Sequence, residues 1–112
     1  MDTDFNIVFD APVAPPPAPV IEFNPHIPEM VRWNRIAGAV AFAVYVNGEY
    51  LFTTRGGSAT RFDLWQAQMG SGHAEPVRWQ IGDRITVRPL GNFTEDAEHS
   101  NILILETLPA PM

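Results

Sequence analysis

Histidine is the side chain best suited to move protons or bind a metal near neutral pH, and this chain holds three, His26, His73 and His99. None stands at zinc-ligand spacing from another histidine, and there is no cysteine. The missing thiols also remove a cysteine nucleophile, a thiolate metal site and a disulfide framework. His73 with Glu75, and His99 with Asp96 and Glu98, are the groupings from which a metal site would have to be built. Two or three ligands in a polar loop are too few to hold a resident ion, so both read as solvated loop faces. Glu95, Asp96 and Glu98 lack the alternating oxygen ligands and the turn glycine of a calcium loop. Gly56-Gly57 and Gly70-Ser71-Gly72 match neither glycine pattern that cradles phosphate. No catalytic triad and no carboxylate pair is legible. The expectation is a noncatalytic protein with no cofactor and no metal.

Contact chemistry is better represented. Trp65, Met69 and Trp79 can line an apolar patch for a protein or a sugar, because aromatic rings supply contact area at low entropic cost. Trp79 reads as core, while Trp65 stays open between half-buried packing and a contact role. Phe93 is presented by the acidic loop 91–99, GNFTEDAEH. Near the start, Phe5, Ile7 and Phe9 alternate with polar or smaller residues as a strand does, framed by Asp2, Asp4 and Asp10. The run from Ala11 to Pro19 then forms a stiff polyproline II spacer. Aromatic residues on such a tether are covered by a partner's groove or sheet edge, to which the arm would add a strand. The plain alternative is a flexible tail. The candidate partner-binding residues are therefore Phe5, Ile7, Phe9, Trp65, Met69 and Phe93.

These residues have to be carried by a small scaffold. With 112 residues, one domain and one core are expected. Hydrophobic residues at 46% exclude a wholly disordered chain, while 11 prolines and 8 glycines favour short strands and turns over long helices. The net charge of −6, from 13 acidic residues against 7 that are all arginine, argues against nonspecific nucleic-acid binding, which needs a basic face, and leaves room only for a small basic patch. The start MDTDFNIVFDAP has no signal-peptide pattern, and no segment approaches the ~18 consecutive apolar residues of a membrane span. The expectation is a protein made in the cytoplasm, with no membrane partner.

The strand pattern centres on residues 31–47, VRWNRIAGAVAFAVYVN. Val31 and Trp33 alternate with polar neighbours, and Phe42, Val44 and Val46 share one face opposite Ala41, Ala43 and Tyr45. Asn47-Gly48 supplies the positive φ angles of a type I′ hairpin, with residues 49–54 as the return strand. Further strands are predicted at 20–24, at 60–64 with Phe62 and Leu64 inward, at 84–90 with Ile85 and Val87 inward, and at 100–107. Pro89 demotes the end of the 84–90 strand to an edge or bulge. Ile102, Leu103, Ile104 and Leu105 make the last strand apolar on both faces, which predicts cover on both sides. Residues 65–78 have no clean period, although 65–69 can form a turn of helix. About seven short strands joined by turns predict an all-β antiparallel sandwich over residues 20–108, after an acidic proline-rich arm at 1–19 and before a short tail at 109–112.

From about Val20 to Glu106 the pattern resembles a fibronectin type III domain. Trp33 stands at the position of that family's second-strand tryptophan, and AVAFAVY at 39–45 is similar to its third strand. Arg61-Phe62-Asp63-Leu64 resembles the fifth strand, Gly82 to Val87 the lead-in to the sixth, and Ser100-Asn101 the opening of the last. Two departures stand out: Ile85 occupies the place of the family's corner tyrosine, and segment 65–78 exceeds the family's usual link. The resemblance implies a spacer, adhesion or recognition module. The leading expectation is a structural protein of a virus particle, such as a small bacteriophage head-decoration, head-fibre or tail-associated subunit. It would oligomerise or bind a lattice of protein subunits, since it lacks cysteine and an export signal and carries an apolar arm. The second is a fibronectin type III binding or spacer module of a secreted carbohydrate-active enzyme or adhesin, with a glycan as possible ligand.

Overall fold

The computed structural model describes residues 11–69 and 77–109. Two antiparallel sheets carry almost all of the regular structure. One has the order β1-β2-β5, from Ile21–Phe23, Met30–Trp33 and Arg61–Asp63. The other has the order β4-β3-β6-β7, from Glu49–Thr53, Ala39–Val46, Arg84–Gly91 and Leu103–Ile104. A short helix, α1, spans Leu64–Met69. The architecture is a β-sandwich, as the strand pattern predicts.

Alternation decides what the sheets bury. On β3, Phe42 and Val44 are fully buried and Val46 packs against the core, while Tyr45 faces outward. Ile85 and Val87 of β6 and Val31 and Trp33 of β2 close on them, with Phe62, Leu64, Trp79 and Leu105. The aromatic centre is edge-on: Trp33 lies 5.3 Å from Phe42, and Phe52 lies 5.5 Å from Phe62. Trp79 is core, its indole N–H donating to the Leu64 carbonyl at 2.9 Å. The hairpin has the expected left-handed residues, Asn47 at φ 53° and Gly48 at φ 83°.

Two sequence expectations are corrected and one is met. The strand expected at 60–64 ends at Asp63, because its carboxylate accepts the Trp65 N–H at 2.8 Å and caps α1, so Leu64 opens the helix while staying buried. Pro89 stands at an edge, as expected: β6 runs on to Gly91 with Pro89 buried opposite Phe42, no strand among the described residues pairs with it on the β7 side, and a bulge between Ala39 and Ala41 interrupts the ladder just beyond. Two residues earlier, Val87 turns its N–H and carbonyl towards Ser100, so the Pro89 nitrogen faces the same side. The last strand has not yet reached that level, and no donor is required there. The last strand itself shrinks from 100–107 to Leu103–Ile104. Its inner side, Leu103 and Leu105, packs in the core, but Ile102 and Ile104 remain 54% and 48% exposed rather than covered.

Side chains join elements where the ladders stop. Thr54 Oγ1 accepts the Phe42 N–H at 3.0 Å and Ser100 Oγ accepts the Val87 N–H at 2.9 Å, each extending a ladder by one hydroxyl. Asn101 spans the two sheets: its Oδ1 accepts the Ile21 N–H at 2.8 Å and its Nδ2 donates to the Ile21 carbonyl at 3.0 Å. Residues 11–19 lie against the sandwich, with Val13 bridged in parallel to Phe93 and Pro19 fully buried.

Asn101→Ala removes both bonds and leaves the part-buried Ile21 amide and carbonyl unpaired, at a cost of about 1–3 kcal/mol. The expected result in urea denaturation is a lower midpoint with an unchanged slope.

Candidate functional site

The register that packs the core also assembles a face. Val44 opposite Val87 on the inside places Tyr45 opposite Thr86 and Ala43 opposite Arg88 on the outside. Across the other ladder the two-residue Asn47-Gly48 turn sets Tyr45 opposite Tyr50, with ring centroids 6.0 Å apart and nearly perpendicular, before a bulge shifts Val44 to face Phe52. His99, from the loop before the last strand, lies over this row. Its ring is 4.5 Å from that of Tyr45, and its Nδ1 is 3.0 Å from Thr86 Oγ1. Arg88 completes the group. Its Nη2 donates to Tyr45 Oη at 3.0 Å, its guanidinium carbon sits 5.8 Å from the Tyr45 ring centre, and its Nη1 is 3.3 Å from Asp96 Oδ2. Tyr50 Oη and Thr53 Oγ1 share a hydrogen bond of 2.7 Å.

Beside this cluster runs an open groove of about 610 Å³, bordered by Tyr45, Arg84, Thr86, His99 and Ile102. Its floor is held by the hairpin tip. Asn47 accepts the Arg84 N–H on its Oδ1 at 3.0 Å, donates its backbone N–H to the Arg84 carbonyl at 2.7 Å, and donates from Nδ2 to the buried Asp83 carboxylate at 3.0 Å. Asp83 also accepts the Gln80 N–H at 2.8 Å. Among the described residues no carboxylate lines the groove.

Partial burial, and secondarily the positive charge of Arg88, lower the pKa of His99 below its ordinary value of 6.5. The imidazole is therefore neutral at pH 7. A neutral histidine against a threonine hydroxyl holds two members of a nucleophilic relay, but no carboxylate pairs with His99 among the described residues to orient its second nitrogen. Asp96, the nearest acid in sequence to be engaged, is taken up by Arg88. Nor do three histidine or acidic side chains gather as metal ligands among the described residues. The arrangement is suited to contact: two tyrosines, a neutral imidazole and a guanidinium, the side-chain types from which protein interfaces draw their anchors.

The residues singled out from sequence fall elsewhere. Trp65 is half-buried in the first turn of α1, and Met69 ends that helix, its side chain outside the described residues. Phe93 is half-buried over Gly38 and Gly91, where an added Cβ would approach its ring to 3.4 and 2.7 Å respectively, so the two glycines make room for it. No ring contact joins Trp65 to Phe93 among the described residues. Phe5, Ile7 and Phe9 lie outside the described residues, as do His73 and Glu75. His26 is exposed, its backbone N–H bonded to Asn24 Oδ1 at 2.8 Å. Most of the cluster was within reach of the sequence: pairing the outward positions of the Asn47-Gly48 hairpin brings Tyr45 and Tyr50 together, and Thr86 and Arg88 are the outward neighbours of Ile85 and Val87. His99 enters through a loop, which alternation does not place.

Because folding lowers the His99 pKa, its neutral form contributes stability that is complete above the unfolded value of 6.5 and is lost as pH falls through the folded value. Titration of the His99 ring by NMR is expected to give a midpoint below 6.5. Arg88→Gln, which removes the charge but not the burial, moves that midpoint part of the way back up; an unchanged midpoint would mean that Arg88 does not act on His99. No family model matches the chain, and no curated protein and no solved structure is significantly similar to it.

Proposed function

We propose that this chain is a noncatalytic docking module built on a fibronectin type III-like sandwich. Its role is that of a structural subunit of a virus particle, such as a small bacteriophage head-decoration, head-fibre or tail-associated protein that binds neighbouring protein subunits. The observation that carries this reading is the outer face of the four-stranded sheet. Tyr45, Tyr50, His99 and Arg88 are gathered there beside a groove with no carboxylate among its described lining residues, and Tyr45 bonds to Arg88, His99 to Thr86 and Tyr50 to Thr53 rather than converging on a point where a reacting atom would sit.

The fibronectin-like assignment is supported by the three-plus-four strand order, in which the strands resembling the family's second and fifth are neighbours in one sheet and those resembling its third and sixth in the other. The particle reading is supported by the lack of cysteine, which suits assembly in a reducing compartment, and by the acidic apolar segment with its proline spacer. On a lattice, many weak contacts of this kind add up through multivalency. A second reading is favoured by the groove itself. Tyr45 and Ile102 with Thr86, Asn47 and Arg84 combine an apolar floor with polar edges, the chemistry of a sugar subsite, as in a module of a secreted carbohydrate-active enzyme or adhesin.

Light scattering of the full chain at rising concentration is expected to give a defined oligomer that the triple substitution Phe5→Asp, Ile7→Asp, Phe9→Asp abolishes. A chain that stays monomeric throughout and binds polysaccharide contradicts the assembly reading and favours the second.

A further inference from the structure

The groove on the outer face has a positive wall whose charge is unspent. Arg84 and Thr86 point outward from β6 two residues apart, about 7 Å along the strand at about 3.3 Å per residue. Arg84 is tied down only by its backbone, through its two bonds to Asn47. Among the described residues no hydrogen bond and no ion pair engages its guanidinium, whereas Arg32 is paired with Glu22 and Arg88 with Asp96. His99 is anchored to Thr86 through Nδ1, and no described residue takes up its Nε2. Arg84, Thr86 and His99 border one groove of about 610 Å³ with Tyr45 and Ile102. In a chain with 13 acidic residues against 7 arginines, no carboxylate lines it among the described residues. Its charge therefore selects for an anionic group.

The main chain around the groove is already paired. Tyr45 and Thr86 face each other in the β3–β6 ladder, the Arg84 N–H and carbonyl are both taken by Asn47, and Ser100 donates its N–H to the Val87 carbonyl. What remains on offer is side-chain chemistry: a guanidinium fork, a hydroxyl, an imidazole nitrogen, and apolar walls from Tyr45 and Ile102. An extended peptide draws its affinity from open main-chain partners. A sugar draws it from scattered side-chain donors and acceptors beside an apolar wall. We propose that the groove binds an acidic saccharide, with a hexuronate carboxylate on Arg84 and hydroxyls of the same ring on Thr86 and His99. One pyranose ring, with its carboxylate at one end and hydroxyls at the other, bridges the spacing between the two strand positions. The inference rests on the saccharide reading of the groove and names its ligand class; it does not depend on whether the chain assembles.

A bound carboxylate also has a local reporter. The groups around His99 are Tyr45 from β3, Arg88 and Arg84 from β6 and, in its own loop, Asp96, which is turned to Arg88. No carboxylate pairs with His99 among the described residues, so a hexuronate would bring one to it and favour the protonated ring.

The test is an NMR titration of the ¹⁵N-labelled full chain with trigalacturonate, with its methyl ester, which keeps the rings and removes the charge, and with triglutamate, which keeps the charge and removes the rings. Trigalacturonate is expected to shift Arg84, Thr86, His99 and Ile102, to bind about tenfold or more tightly than the ester, and to raise the His99 titration midpoint. Arg84→Gln, which leaves the backbone bonds to Asn47 in place, lowers the affinity for the acid to that for the ester. Arg61→Gln, exposed on β5 of the other sheet, leaves it unchanged. Equal affinity for acid and ester would overturn the hexuronate assignment while the saccharide reading stands. Triglutamate binding as tightly as trigalacturonate would give the groove to acidic peptides and overturn it as well. No shift with either saccharide removes both the assignment and the saccharide reading.

Discussion

The pairing of β3 with β6 is the contact on which the rest of the structure depends. Setting Val44 opposite Val87 places Phe42, Val44, Ile85 and Val87 on one side, where they meet the β2 and β5 sheet, and Tyr45, Thr86 and Arg88 on the other. Because side chains alternate with a period of two, a slip of one residue would exchange these sets, exposing the core and burying an arginine. Core and outer face are therefore one decision. The Asn47-Gly48 turn enforces it from one end, since Asn47 is bonded at once to Arg84 and Asp83 at the start of β6. Gly91 enforces it from the other, where only the absence of a Cβ lets the Gly38 carbonyl and the Phe93 ring come close.

With no disulfide, the sandwich is closed by packing and by a few long-range polar ties. The Asn101 clamp on Ile21 joins residues 80 apart in sequence, and it replaces two backbone bonds that neither edge strand could otherwise make across the sheets. By contrast, the Arg88 pair with Asp96 contributes little to folding, roughly 0–1 kcal/mol, because Asp96 is 92% exposed. Arg88 is held between the Tyr45 hydroxyl on one side and the exposed Asp96 carboxylate on the other.

The fold was legible because strands of this kind declare their burial. Phe42, Val44, Ile85 and Val87 could be assigned to the interior from spacing alone, and Asn47-Gly48 to the turn from backbone sterics. What escaped was set by neighbours distant in sequence. Leu64 reads as a strand residue until the Asp63 carboxylate caps α1 and Leu64 opens the helix. Ile102 and Ile104 read as doubly covered, since residue type alone does not distinguish a central strand from an edge. The outer cluster is half legible for the same reason: Tyr45 and Tyr50 follow from pairing the hairpin, Thr86 and Arg88 from alternation with Ile85 and Val87, and His99 only from the path of the 92–99 loop.

In the docking reading proposed above, the outer face that gathers Tyr45, Tyr50, His99 and Arg88 is the surface that a neighbouring subunit covers, and Phe5, Ile7 and Phe9 supply a second contact. The most direct measurement is the amide NMR spectrum of the ¹⁵N-labelled full chain recorded from dilute to concentrated solution. The account predicts that concentration-dependent shifts cluster on Tyr45, Tyr50, Arg88 and His99 and on residues 4–10. Shifts confined to Trp65 and Phe93, or none at any concentration, would contradict it.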